Sequence, residues 1–249
     1  MSEISSAKNE LMDPETYAEY AGSDFYLSKV AECYAEYQKA LKKNNALDFD
    51  DLLMKCVELF RKDEEVLAGY QDRFKYVCVD EYQDTNTAQF EFVRLLSAAS
   101  GNICVVGDDD QSIYKFRGAN IRNILDFEKI YPEAKVVKLE QNYRSTEYIL
   151  NAANAVIAHN SGRKVKSLWT RRGEGSRLIF KQLENGWEES RFITDEILSE
   201  IRDGAQYKDF AVLYRTNAQS RAFEEKCIGL NVPYRLVGGV NFYQRKEIK

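Results

Sequence analysis

The sequence predicts an α/β fold: two units of parallel strands flanked by helices, behind a purely helical segment at the front. Three observations carry that expectation. Short unbroken apolar runs recur along the chain, they alternate with stretches of helical periodicity, and the residues before about 62 show helical periodicity alone. Strands buried on both faces of a parallel sheet read as continuous apolar runs rather than as alternating ones, which is why the runs favour parallel pairing.

At the front, Pro14 to Lys43 reads as one long helix. Leu27, Val30, Tyr34, Tyr37 and Leu41 recur at spacings of three and four, and Asp13-Pro14 makes a plausible start. A second helix follows Asp48, a good N-cap ahead of Leu52, Leu53, Val57 and Phe60. Tyr76–Val79, Ile103–Val106 and Val136–Leu139 then read as strands, with helices over Thr85–Ala99 and Ala119–Ile130 between them. The alternation resumes with strands at Leu178–Phe180, Phe210–Tyr214 and Tyr234–Val237, and helices near Glu188–Arg202 and Gln219–Leu230. The expected domains are a helical segment over residues 1–62, an α/β unit over 63–138 and a second over 139–249.

Composition bounds the class. The 249 residues are 44% hydrophobic and 30% charged, which suits an ordinary globular chain rather than a disordered one. No apolar run approaches the roughly 18 residues of a membrane span, and the polar stretch Met1–Glu10 has no secretory core. Five scattered cysteines (Cys33, Cys56, Cys78, Cys104, Cys227) without a CxxC pair are expected to be buried, reduced thiols, implying a cytoplasmic protein. The sole histidine, His159, has no partners for a zinc site.

The net charge of −5 hides an asymmetry. Up to Lys138 there are 17 basic and 26 acidic residues, a balance of −9, whereas from Leu139 onward there are 18 and 14, a balance of +4. The second half is therefore the more plausible face for a polyanion, with Arg163, Lys164, Lys166, Arg171, Arg172 and Arg177 its densest basic stretch, although charge alone favours an ordinary solvated loop.

Two expected strands run straight into carboxylates. Tyr76–Val79 leads to Asp80-Glu81-Tyr82-Gln83-Asp84, and Ile103–Val106 leads to Gly107-Asp108-Asp109-Asp110-Gln111. In an open parallel sheet ligands sit beyond the carboxyl ends of the strands, so both clusters face one crevice. An aspartate there can hold Mg²⁺ through oxygen, and an adjacent glutamate can take a proton from an attacking water. Asp-Glu alone is a weak signal, because such pairs also cap helices.

The full strings are more specific. Asp80–Asp84 resembles motif II (Walker B) of superfamily 1 helicases of the UvrD/PcrA/Rep type. Gly107-Asp108-Asp109-Asp110-Gln111-Ser112-Ile113-Tyr114-Lys115-Phe116-Arg117-Gly118-Ala119 resembles their motif III, and Leu139-Glu140-Gln141-Asn142-Tyr143-Arg144-Ser145-Thr146 their motif IV. Weaker family-like strings stand at Leu47–Leu52, Leu213–Asn217 and Gly238–Lys249, so the likeness covers nearly everything beyond about residue 25.

The resemblance implies a P-loop NTPase (RecA-like) fold: two partial RecA-like domains of parallel sheet flanked by helices, with residues 1–62 the end of an accessory helical domain. It implies ATP and Mg²⁺ as cofactors, and Asp80 and Glu81 at the metal with Glu81 as the base. Gln111 would sense the γ-phosphate, Tyr143 would stack on adenine and Arg144 would contact the γ-phosphate. Tyr114, Phe116 and Arg117 would contact single-stranded DNA, an aromatic-and-cation mixture suited to unpaired bases; the family often has tryptophan where Phe116 stands. Ser145 reads as the N-cap of the following helix, with Tyr148, Ile149, Ala152 and Val156 on its apolar stripe.

The implied activity is ATP-driven translocation on single-stranded DNA and unwinding of forked duplex, with 3′→5′ polarity by resemblance, in repair or replication. Alternatives are a RecB/AddA-like helicase–nuclease subunit and a non-catalytic DNA- or partner-binding remnant. No glycine is followed by lysine, so the phosphate loop GxxxxGK followed by Ser or Thr does not occur. The expectation is an internal fragment, inactive by itself, that also lacks the later motifs.

Overall fold

The structure is a computed structural model and describes residues 2–238. The family-like string at the end, beyond Gly238, lies outside them. Two compact units part between Arg177 and Leu178.

In the first unit the front is helical. Helices α1 (Ser2–Asn9), α2 (Pro14–Ala21), α3 (Phe25–Lys43), α4 (Phe49–Lys62) and α5 (Glu64–Arg73) precede any strand. The single helix expected over 14–43 is therefore two. Gly22, at φ 50°, ends α2, and the Asp24 carboxylate caps α3 by accepting from the Leu27 N–H at 2.9 Å. A left-handed residue and a fresh cap together outweigh the continuous apolar spacing. Asp48 caps α4 as expected, in a reciprocal box with Asp51.

The core of this front layer is Ile4, Ala7, Tyr17, Ala31 and Tyr34, with Met12, Leu27, Val30 and Tyr37 packed on it. Tyr34 is wholly buried and donates its hydroxyl to the Met12 carbonyl at 2.9 Å. Lys8 is buried too. Its ammonium lies 2.6 Å from Asp48 and 2.9 Å from Asp51, so α1 is pinned to the start of α4. A buried charge is tolerable only with partners of this kind.

The α/β part of the unit continues with β1 (Val77–Val79), α6 (Thr87–Ser97), β2 (Ile103–Val105), the short α7 (Arg122–Leu125) and α8 (Phe127–Ile130), β3 (Gln141–Asn142), α9 (Glu147–Ile157) and β4 (Trp169–Thr170). The strands form two two-stranded parallel sheets, β1 with β2 and β3 with β4. Parallel pairing agrees with the sequence reading, and the structure is α-rich with small parallel sheets. Phe60 of α4 stacks on Phe92 of α6 at 5.5 Å, and Arg61 pairs with Glu91, which joins the helical front to the α/β part. Asn86, the N-cap of α6, also donates to Asn9 at 2.7 Å, tying α1 to the same corner.

Several expectations need correcting. The helix expected over Ala119–Ile130 breaks at Asp126 into α7 and α8. The N-cap of α9 is Thr146, not Ser145. Val136–Leu139, Leu178–Phe180, Phe210–Tyr214 and Tyr234–Val237 form no strands. A strand exists only where a neighbour takes up its N–H and C=O groups, and apolar composition cannot supply that neighbour. Among the described residues no ladder reaches these runs, and Phe180 and Leu213 are 93% and 95% exposed. The same incompleteness exposes Cys78 and Cys104, expected to be buried; Cys33 and Cys56 are exposed as well, and all five thiols are free.

In the second unit α10 (Gly186–Arg202) and α11 (Ser220–Gly229) pack together. Asn185 caps α10, accepting from the Trp187 and Glu188 N–H groups at 3.0 Å. Among the described residues, no helix is long and apolar enough to cross a membrane.

Candidate functional site: the carboxyl ends of two parallel strands

Cys78 stands opposite Cys104 in the parallel β1–β2 pair, so both strands deliver their following residues to the same edge. Asp80-Glu81 and Gly107–Gln111 are thus neighbours, as the crevice argument requires. Two further backbone bonds extend the pairing past the strand ends. The Val106 N–H donates to the Val79 carbonyl at 2.8 Å, and the Tyr82 N–H to the Val106 carbonyl at 3.0 Å.

Glu81 sits in the left-handed region, at φ 50° and ψ 41°. For a residue with a side chain this costs on the order of 1 kcal/mol and needs surrounding constraint. Its own N–H donates to Asp80 Oδ1 at 2.9 Å, and the next residue, Tyr82, is buried edge-on against Phe127 with ring centroids 5.7 Å apart. Burial pushes the Tyr82 hydroxyl up to about 12, so it stays neutral. The kink turns the Asp80 and Glu81 carboxyl groups to the surface while anchoring the chain on either side. A hollow beside them is lined by Val79, Asp80, Glu81, Asp84, Thr85 and Gln89.

Gln83 joins the two acidic segments. It is 1% exposed, its Oε1 accepts from the Asp108 N–H at 3.0 Å, and its Nε2 donates to Glu81 Oε2 at 2.8 Å. Ser112 donates to the Gln83 carbonyl at 3.2 Å. Gly107 makes room for this bridge: a Cβ there would lie 2.5 Å from Gln83 Oε1 and 2.8 Å from the Ile124 side chain.

Asp108, Asp109 and Asp110 place carboxylate oxygens within 4.8 Å of one another. A lysine ammonium is centred on them. Lys166 Nζ pairs with Asp108, lies 2.8 Å from Asp109 and 3.1 Å from Asp110, and Arg163 Nε is 3.0 Å from Asp110. Lys164 pairs with Glu128, and its N–H donates to Asp109 at 2.8 Å. Burial pushes the Asp108 carboxyl up, but hydrogen bonds from Lys166 and Gln111 outweigh it and hold the group below the ordinary carboxylate range. Burial pushes the Lys166 ammonium down, and the three aspartates more than reverse that. The basic stretch picked out as a polyanion face is therefore half consumed internally: Arg163, Lys164 and Lys166 face carboxylates of this chain.

Gln111 is exposed, and its Nε2 donates to Asp108 Oδ2 at 2.8 Å. Beyond it Tyr114, Phe116 and Arg117 form one cluster. Their rings are 6.0 Å apart, and the Arg117 guanidinium lies 5.2 Å from the Tyr114 centroid and 5.5 Å from that of Phe116. Phe116 is 72% exposed.

Tyr143 and Arg144 follow β3 on a turn made by Asn142, whose Oδ1 accepts from the Arg144 and Ser145 N–H groups at 2.9 and 2.8 Å. Both side chains are exposed. Arg172 donates to the Tyr143 carbonyl at 3.0 Å. Among the described residues no hydrogen bond or ion pair joins Tyr143 or Arg144 to Asp80, Glu81 or Gln111. The site residues thus fall into an acidic corner with its aromatic loop, and a separate Tyr-Arg turn.

Three residues were missed as site residues by reasoning from sequence. Gln83 and Gly107 lie inside the motif strings, but only tertiary pairing reveals their contact. Lys166 was visible as one cation in a basic run; nothing in that run distinguished it from Arg171 or Arg177.

Residues 1–132 match the UvrD/REP helicase N-terminal domain, and residues 137–249 match the UvrD-like helicase C-terminal domain. ATP-dependent DNA helicases PcrA of Staphylococcus epidermidis and of Staphylococcus aureus are each 52% identical over 246 residues, 99% of this chain. The chain spans 34% of the length of those relatives. With both family domains matched in order along the chain, it belongs to the UvrD-like helicase family.

Proposed function

We propose that this chain supplies part of the nucleotide cleft and of the single-stranded DNA groove of an ATP-dependent DNA helicase. The observation that carries the reading is the β1–β2 pairing, which brings Asp80-Glu81 and the Gln111 turn to one sheet edge. Asp80 and Glu81 offer the hard carboxylate oxygens that Mg²⁺ takes, and the ion would neutralise charge on the phosphate oxygens. Glu81 accepts a proton from the attacking water as its oxygen bonds to the γ-phosphorus and ADP leaves with the bridging electron pair. Gln111, now bonded to Asp108, exchanges that partner for the γ-phosphate. Arg144 adds a planar guanidinium to the same phosphate, and Tyr143 stacks on adenine.

Tyr114, Phe116 and Arg117 hold unpaired bases and backbone. Cleft closure and reopening would move single-stranded DNA, with 3′→5′ unwinding of forked duplex in repair or replication. The RecA-like character of both α/β parts, divided after about residue 138, the preceding helical segment and a cytoplasmic setting belong to the same proposal. So does the view that these residues are one portion of a longer enzyme and are inactive alone.

The 249-residue chain is expected to bind oligo(dT) in a salt-sensitive way, with Phe116→Ala and Arg117→Ala each weakening it about tenfold. Salt-sensitive binding indifferent to both substitutions would refute the groove assignment. ATP turnover should be negligible even with DNA present; turnover that disappears in Glu81→Gln would overturn the inactivity.

A further inference from the structure

We infer that Gln83 is a positioning residue, holding the Glu81 carboxylate in register with the backbone that presents Gln111. The inference rests on the reading of Glu81 as the base, and it assigns a role to a side chain which that reading leaves idle.

The orientation of the amide follows from its partners. A backbone N–H can only donate, so the Gln83 atom facing the Asp108 N–H at 3.0 Å is the carbonyl oxygen. Nε2 then faces Glu81 Oε2 at 2.8 Å and Asp84 Oδ2 at 3.5 Å, both acceptors. One rigid planar group therefore links the glutamate to the strand end of the neighbouring segment. The link is buried, and Gly107 excludes the Cβ that would displace it. Glu81 needs such a restraint. Its backbone is left-handed, its side chain is exposed, and an exposed glutamate otherwise samples many rotamers. A base held in one place retains the geometric part of its catalytic advantage. Because the other end of the amide grips Asp108, three residues before Gln111, a displacement of that turn is transmitted to Glu81. The water-activating group and the phosphate-contacting group are thereby set together.

The test places the substitutions in a protein of the relatives' full length and measures DNA-stimulated ATP turnover, together with the KM for ATP, oligo(dT) affinity and thermal melting. Glu81→Gln is the control for the underlying reading and should abolish turnover; if turnover survives, the base assignment fails and the positioning role falls with it. Gln83→Ala should lower kcat about 100-fold while KM for ATP and DNA affinity change less than about twofold. Gln83→Glu keeps an acceptor for the Asp108 N–H but sets a second carboxylate against Glu81. It therefore loses the amide donor to Glu81 and should lower kcat about as far as Gln83→Ala does. If Glu81→Gln is dead while Gln83→Ala turns over at the normal rate, the positioning role is wrong. A fall in kcat accompanied by equal losses in ATP affinity, DNA affinity and melting also overturns it and leaves Gln83 a packing residue.

Discussion

The acidic corner and the Tyr143-Arg144 turn carry comparable density of motif residues, yet the chain holds them very differently. At the corner a buried amide, a glycine with no room for a Cβ and a lysine surrounded by three aspartates fix the backbone of two segments against each other. At the turn, one asparagine side chain shapes the backbone while the Tyr143 and Arg144 side chains stand in solvent. Groups that must meet water and metal at a defined distance gain from being held in advance. Groups that close over a ligand gain from being free until it arrives.

The difference can be broken at several points. The largest effect is expected from Gly107→Ala: the added methyl meets Gln83 Oε1 and Ile124 inside packed structure, and should cost roughly 3 kcal/mol in a thermal melt of the chain. Melting unchanged by this substitution would mean the corner is far softer than its contacts imply.

Lys166→Met should be next, at roughly 2 kcal/mol near neutral pH, since it leaves three clustered carboxylates with only Arg163, at Asp110, beside them. Its pH dependence has a definite sign. The Asp108 carboxyl is depressed in the folded chain, so its contribution is present above the ordinary carboxylate pKa of about 4 and is lost as pH falls through the lower folded value. The Lys166 ammonium is raised, so its contribution is present below the ordinary lysine pKa of about 10 and is lost only above that. The stability gap between Lys166→Met and the unsubstituted chain should be level between about pH 5 and 9 and should close in acid. A gap that instead widened in acid would contradict the ion-pair assignment.

The smallest effects belong to the turn, and they sharpen the comparison. Asn142→Ala removes the single side-chain oxygen that accepts two backbone hydrogen bonds and should cost about 1 kcal/mol, whereas Tyr143→Ala, on the same turn, should change stability by less than about 0.5 kcal/mol. If Tyr143→Ala were the more damaging, the turn would be part of the fold's packing and not a free arm.

How much of this was legible in the sequence differs from element to element. The N-cap at Asp48, the helices α6, α10 and α11, and the strands β1 and β2 follow from residues close together in the chain, because caps and periodicity are local properties. The motif strings located Asp80, Glu81, Gln111, Tyr114, Phe116 and Arg117 for the same reason. The runs at Leu178–Phe180 and Phe210–Tyr214 looked like equally good strands and are not, since pairing depends on a neighbour that composition cannot name. Gly22 likewise divided a helix whose apolar stripe ran on without interruption.

By itself, then, the sequence determined the family, most of the helices and the parallel β1–β2 pair. Only the tertiary structure decided that Gln83 faces Glu81, that Gly107 leaves it room, and that Lys166 is spent on Asp108–Asp110 across more than fifty residues of chain. Local order is written in adjacent residues, but the partner of a buried amide or charge is whichever group the fold brings within about 3 Å of it.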